Sequence, residues 1–392
     1  MLRILSISAL ILLSISTISA QADLEKQIQT RFILAEDGAV IDLPAGKIEL
    51  TNTLSLDGKK RITIRGAGRD KTVLTWKNQK QGAEGLRISN AQDIVVEQFT
   101  MEDSKGDLLK ALQVKGLTLR NLTAQWTGKP KASNGSYALY PVQCTNVHIE
   151  TCTAIGASDA GIYVGQSDSV WVTDCTAKNN VAGIEIENTT NAWVSNNKAF
   201  DNTGGILVFD LPGLLKKSGG HVKVWKNLIA RNDFRNFAPK GNIVAQVLPG
   251  TGVMVLATRD VEVYENKIWE NKTASVAVVS YLMTGIPISD KSYNPYPALI
   301  DIHDNVFSIG KRMPTWKRKL GFKLWLTFGR KVPHILYDGI RNPDYLDNNG
   351  KLKYAYRICI RNNEDGTFAN LMAGKNFKGI TTDLKPYDCS CQ

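Results

Sequence analysis

Histidine is scarce: His148, His221, His303 and His334 are the only four in 392 residues. With no Cys-x-x-Cys-His run, that scarcity excludes covalently attached c-type haem and argues against a dedicated zinc site. No phosphate-binding glycine motif occurs. Past the first 22 residues there is no apolar run long enough to span a bilayer. Helical periodicity is also rare, because short β-branched runs are broken by Asn, Gly, Ser and Asp before a helix of ordinary length can form. Acids are in the minority, 37 Asp plus Glu against 48 Lys plus Arg, for a formal charge of +11. That excess favours a polyanionic partner.

What is present is a repeat. From Tyr137 to Asp210 one unit occurs three times, with Gly161, Gly183 and Gly205 spaced by 22 residues and Val147, Val170 and Ala192 in near step. A period of this size, made of short strands, describes one coil of a stacked array, stable only when neighbouring coils bury its inner face. The Val-x-Val pair recurs as Ile62/Ile64, Ile94/Val96, Leu117/Leu119, Val222/Val224, Val261/Val263, Ile300/Ile302 and Ile358/Ile360, giving about ten coils with the central three. Three residues further on, the slot reads Ala67, Phe99, Leu122, Cys152, Cys175, then Asn197, Asn227, Asn266, Asn305 and Asn363. The late asparagines fit a ladder in which each amide bonds the next one ~4.8 Å away, the strand spacing of a sheet.

Residues 1–22 read as a secretory signal: Arg3, an apolar run from Ile4 to Ile18, then Ala20-Gln21-Ala22. We therefore expect a secreted or periplasmic protein with one elongated domain over residues 23–392, a repeat core at 137–210, an irregular insertion at 311–350 and a tail at 364–392. Leu24, Ile28, Phe32 and Ile33 predict an amphipathic helix that caps the first coil.

The runs LPAGKIEL and ITIRGAGRDKTVL, followed by ASDAGIYVGQS, NVAGIEIENTTNAWVSNN and TGGILVFDLPGL, resemble right-handed parallel β-helix proteins of the pectate-lyase-like superfamily. More narrowly, they resemble a family of secreted parallel β-helix repeat proteins of unassigned function. The resemblance implies an all-β fold, a right-handed single-stranded parallel β-helix with an N-terminal capping helix. It implies no single activity, since the fold hosts lyases, hydrolases, epimerases, adhesins and accessory proteins. It also implies a c-type cytochrome as a partner. The Tyr-Gly-x-Asp-x-His cluster of alginate epimerases is missing.

Function should sit where the period stretches. Extra segments occur at 126–135, 211–221, 234–250 and 281–297, and loops grafted on a rigid scaffold are the usual carriers of binding. Beside them, alternation turns Tyr140, Tyr163 and Glu185 outward in one column and Glu187 beside Phe209 in another, with Gln143, Gln166, Asn188 and Asp210 at the following turn. Aromatic faces stack on sugars, amides bind hydroxyls, and paired carboxylates act as acid and base or hold Ca²⁺. Glu185 and Glu187 lie ~6–7 Å apart along one strand face. We expect Glu185, Glu187 and Asp210 as candidate catalytic residues and Tyr140, Tyr163, Gln166, Asn188 and Phe209 as candidate substrate contacts. The expected partner is a polysaccharide, acidic given the charge, and not nucleic acid. Two readings follow: an enzyme of lyase or glycoside hydrolase type, or a non-catalytic envelope scaffold for a c-type cytochrome or other oxidoreductase.

Among the cysteines, Cys152 and Cys175 fall in the inward column, whereas Cys359 and the tail pair Cys389 and Cys391 suit a bond from Cys359 to either, pinning the tail. Asn121, Asn134, Asn188 and Asn271 open Asn-x-Ser/Thr triplets. Residues 311–330, KRMPTWKRKLGFKLWLTFGR, interleave basic and aromatic residues and suit either packing onto the last coils or docking to an acidic polymer, a partner or a membrane surface.

Overall fold

Up to the last rung of sheet 3, where Phe368–Asn370 pairs with the strand two elements back, each strand pairs in parallel with the strand three elements away in sequence, so the chain climbs one coil per three strands. A computed structural model describes residues 23–308, 310, 313–316 and 318–389. The expected secretory segment 1–22 and Cys391 lie outside the described residues. The coils form three parallel sheets, here sheets 1, 2 and 3, of eleven, ten and eleven strands, and the chain is a right-handed parallel β-helix.

Sheet 1 carries the expected register. Leu117 stands opposite Val147, Val147 opposite Val170, Val170 opposite Ala192, and the column continues through Val222, Val261, Ile300 and Ile358. Ile41 opposite Ile64 adds a rung before the first expected coil. The inward members pack into one continuous core with their counterparts from sheets 2 and 3. Ala67 departs from its column and is exposed. In that coil Gly66 turns inward, where a Cβ would come within 2.6 Å of Phe99 Cβ.

The asparagine ladder runs unbroken from Asn197 to Asn363. In each rung the side-chain oxygen accepts from the backbone N–H and the amide of the rung before it; Asn227 Oδ1, for example, takes Asn197 N at 2.9 Å and Asn197 Nδ2 at 3.0 Å. Asn227 Nδ2 donates in turn to Asn266 Oδ1 and to the Val194 carbonyl. Toward the N-terminus the ladder passes into sulfur: Cys175 N donates to Asn197 Oδ1 and Cys152 N to Cys175 Sγ, both thiols being free and buried. A second ladder, Asn180, Asn202, Asn232 and Asn271, rises at another turn. It accounts for the glycine period, because a Cβ on Gly161 or Gly183 would lie 2.6 Å or 2.9 Å from the amide nitrogen of Asn180 or Asn202. Asn134, Asn188 and Asn271, which open three of the four Asn-x-Ser/Thr triplets, are buried.

Both ends of the core are covered. Helix α1 (residues 23–34) packs Ile28 and Phe32 on the first coil, while Ile33, expected on that face, is exposed. Its Glu25 carboxylate accepts from the backbone N–H groups of Thr51 and Asn52 at 3.0 and 2.7 Å, occupying donors at the open edge. At the other end Cys359 and Cys389 are disulfide-bonded, and Tyr387 packs on Phe368 and Tyr337. Among the described residues, no helix is long and apolar enough to cross a membrane.

The ladder makes a stability prediction. Asn227→Ala takes the acceptor from the buried Asn197 N–H and the amide donor from the Val194 carbonyl, at about 1–3 kcal/mol each, so a loss of roughly 2–4 kcal/mol is expected. A urea midpoint unchanged by the substitution would show that the ladder contributes nothing net.

Candidate functional site

The four expected insertions flank sheet 3, and those at 234–250 and 281–297, with the segment before Ile335, fold across its outer face. The column on that face changes character along the axis: Arg87, Lys110, Tyr140, then Tyr163, Glu185, Leu207, Met254 and Ala277. Arg87, Lys110 and Tyr140 are half-buried, whereas Tyr163, Glu185 and Leu207 are buried. The solvent-facing groove expected over residues 140–210 is therefore roofed. The cause is apolar: Phe237, Val244, Val247, Tyr281 and Tyr293 from the insertions pack with Tyr163, Leu207 and Phe209 in a second hydrophobic cluster. Phe209, expected to stack on a sugar, is spent on this packing.

Beneath the roof lies a cluster of acids and tyrosines. Tyr163 Oη donates to Glu187 Oε1 at 2.7 Å. The geometry depends on Gly165, which pairs with Glu187 across the strands and whose Cβ would fall 2.1 Å from the Tyr163 hydroxyl. Asn242 reaches down from the roof to Asp159 Oδ2 at 2.9 Å, and Tyr137 Oη approaches the same atom at 3.5 Å. The rings of Tyr137, Tyr140 and Tyr163 lie 4.4 to 5.0 Å apart. Glu185 is only 1% exposed and its Oε2 has no hydrogen-bond partner.

Burial sets the protonation. It pushes Glu187 up to about 7 against the pull of the Tyr163 hydrogen bond. Burial, opposed by Asn242 and helped by the Glu187 charge, takes Asp159 to about 7 as well. Glu185 is raised well above the usual carboxylate range by burial first and then by Asp159 and Glu187. Near neutral pH it is therefore a carboxylic acid with a proton to give, beside two carboxyls that are part ionised.

Asp210, Gln166 and Asn188 have a different use. Asp210 Oδ1 accepts from Gly219 N at 2.9 Å, and its carbonyl accepts from Tyr293 Oη at 2.6 Å. Asn188 holds the Leu211 and Lys216 carbonyls and accepts from Leu211 N, while Gln166 Oε1 accepts from Leu215 N. These residues shape the 210–219 loop, and Asn188 spends both its amide nitrogen and its oxygen on it. Asp159 and Tyr137, by contrast, belong to the cluster. Asp159 comes just before the strand that carries Tyr163, but its partner Asn242 comes from an insertion 83 residues away, so no pattern along the strand joins them.

Among the described residues, the group of three candidate ligands whose atoms lie within 4.8 Å of one another is Glu262, Asp301 and His303 on sheet 1, not the sheet 3 acids. The sheet 1 group is cross-linked by bases, Lys223 to Glu262 at 2.9 Å and Arg361 to Asp301 at 3.1 Å.

The fold places the chain in a class: it is a right-handed parallel β-helix. The family model for the right handed beta helix region matches residues 52–213. Among solved structures, the chain is similar to the A-module of the Azotobacter vinelandii mannuronan C-5 epimerase AlgE4, with a TM-score of 0.57 at 13% identity over 89% of this chain and 91% of that one. The A-module of AlgE6 from the same organism gives 0.54 at 14% identity over 88% and 90%. No curated protein sequence matches the chain.

The buried acids predict how stability varies with pH. Asp159, Glu187 and Asp210 sit near 7 in the folded state, above the usual ~4 of the unfolded chain. Their contribution is thus fully present below about pH 4 and is lost as pH rises through 7. The protein should be less stable to urea at pH 8 than at pH 5, and Glu185→Gln/Glu187→Gln should remove part of the difference, Asp159, Asp210 and the equally buried Asp338 keeping the rest. A flat profile in the wild type would mean that the cluster is hydrated.

Proposed function

We propose that the protein acts on an acidic polysaccharide, with Glu185 as the acid and Glu187 as the base of a proton-transfer centre positioned by Tyr163 and Asp159. One observation carries this reading. Glu185 is a fully buried carboxylic acid with an unpartnered oxygen, within electrostatic reach of two further buried carboxyls, Asp159 and Glu187, an arrangement that costs stability and that packing alone does not require. Arg87 and Lys110 supply positive charge on the same column, and Tyr140, over whose ring Lys110 Nζ lies 5.0 Å from the centroid, offers a half-buried aromatic face. Both solved neighbours are mannuronan C-5 epimerases by name, which supports a uronate polymer as substrate.

On such a substrate, ionised Glu187 takes the proton beside the sugar carboxylate. In an elimination the bond to the leaving glycosidic oxygen then breaks, a ring double bond forms, and Glu185 protonates the departing oxygen. Hydrolysis uses the same pair, with Glu187 activating a water. The disulfide between Cys359 and Cys389 suits the oxidising, secreted or periplasmic setting expected from residues 1–22.

A second reading is favoured by the roof. Because the insertions close the outer face of sheet 3 over Leu207 and beyond, a non-catalytic envelope scaffold for an oxidoreductase such as a c-type cytochrome also fits the architecture. Turnover on an array of acidic and neutral polysaccharides, with and without added Ca²⁺, separates the two. An enzyme should lose about 100-fold or more of its rate in Glu185→Gln/Glu187→Gln. Absence of both binding and product across the array would sink the polysaccharide reading and leave the scaffold.

A further inference from the structure

The longest stretch without an acid in the C-terminal half runs from residue 305 to 337, between Asp304 and Asp338, and it holds eight basic residues: Lys311, Arg312, Lys317, Arg318, Lys319, Lys323, Arg330 and Lys331. Within it, helix α2 (Lys319–Phe328) is apolar on two opposite sides. Leu320 and Leu324 turn inward and line an apolar cavity of about 120 Å³, together with Phe209, Met254 and Leu336 from sheet 3. Phe322 and Leu326, two residues on from that pair and so about 200° around the helix, point away from it. Phe322 is 44% exposed and Leu326 63%. Trp316 and Met313, just before the helix, are also exposed, as are Leu282 and Ile286 from the neighbouring insertion.

Packing accounts for the inner side only. An outer side bearing Trp, Phe and Leu among Lys and Arg is the composition of a helix that lies in a lipid headgroup layer, where the apolar side chains enter the acyl boundary and the bases meet anionic headgroups. Arg318, Lys319, Arg330 and Lys331 are exposed around that face. The helix is also held firmly enough to present it: Arg318 Nη2 donates to the Ala245 carbonyl at 3.0 Å, and Lys323 Nζ sits 4.3 Å from the centroid of the Phe377 ring.

We infer that α2, with Met313 and Trp316 ahead of it, forms a docking surface for an anionic bilayer, by which the β-helix attaches peripherally to a membrane. The occupant is lipid because exposed aromatic and aliphatic side chains accompany the charge; a soluble polyanion needs only the charge. The inference is independent of the acid cluster beneath the roof.

The test is co-sedimentation of the protein with phosphatidylglycerol vesicles and with phosphatidylcholine vesicles at low salt. Binding is expected to the first and not to the second. Trp316→Ser/Leu326→Ser should weaken it roughly tenfold, as should Lys319→Ser/Arg330→Ser, the apolar and electrostatic parts acting together. All four side chains are exposed, so both variants should keep the wild-type circular dichroism and thermal midpoint. No sedimentation with phosphatidylglycerol would overturn the inference and point to a protein partner. Binding that survives Trp316→Ser/Leu326→Ser unchanged would overturn it too, by reducing the surface to a general polyanion site.

Discussion

Parallel stacking at a single register is the constraint on which everything else in this molecule rests. A coil hydrogen-bonds only to the coils before and after it, so each position becomes a column along the axis and each turn repeats at the same depth. Turns leave backbone donors and carbonyls pointing into the stack, where no water reaches them. The two asparagine ladders answer that need, since an amide both donates and accepts and can bond the copy of itself one strand spacing away. Where the stack begins its central repeats, Cys152 and Cys175 occupy the same slot and their sulfur is a weaker acceptor. The ladder thus strengthens toward the C-terminal half, where the insertions interrupt the repeat and alignment between coils has most to withstand.

The same stacking lets one face change its chemistry without changing its shape. Outward side chains of sheet 3 must fit a common pleat, but nothing in the backbone asks them to be alike. The column passes from base to tyrosine to acid to aliphatic within eight rungs. The insertions then decide what each rung experiences. Where they cover the face, aliphatic rungs gain a partner layer, and the acids next to them lose water and hold their protons. Raised carboxyl groups are therefore a consequence of where the roof starts, at Asn242 over Asp159, as much as of the acids themselves.

Most of the fold could be read from residue spacing because a solenoid encodes its contacts locally: position in the unit names the neighbour. The sheet 1 register from Ile64 to Ile358 and the first ladder were legible for that reason. Ala67 broke the rule where Gly66 turned inward. The second ladder was legible in principle, since Asn180 and Asn202 share the 22-residue step, but its meaning needed the glycines that make room for it. The site was half legible. Tyr163, Glu185 and Glu187 fell in the expected columns, and strand alternation correctly set them on the outer face. Their burial was not legible, because Phe237, Val247 and Tyr293 come from irregular insertions whose path no period describes. Gln166, Asn188 and Phe209 meet later segments on the same account: outward on a strand does not mean open to solvent when a later loop returns over it.

Insertions placed on both sides of one sheet have a further consequence. The segments before and after the sheet 3 strands can meet above it, and α2, which arises between sheets 2 and 3 near the end of the stack, joins the same cover through Leu320 and Leu324. Its outer side then faces away from the sheet, with Phe322 and Leu326 exposed. Polar residues would serve that position as well as any if solubility were the only demand. Keeping Phe322, Leu326 and Trp316 there, in a stretch from which acids are missing, is a choice that the internal packing of the β-helix does not explain. The cover on sheet 3 thus has two faces with separate chemistries, an inner one that dries the acid cluster and an outer one built for contact with something else.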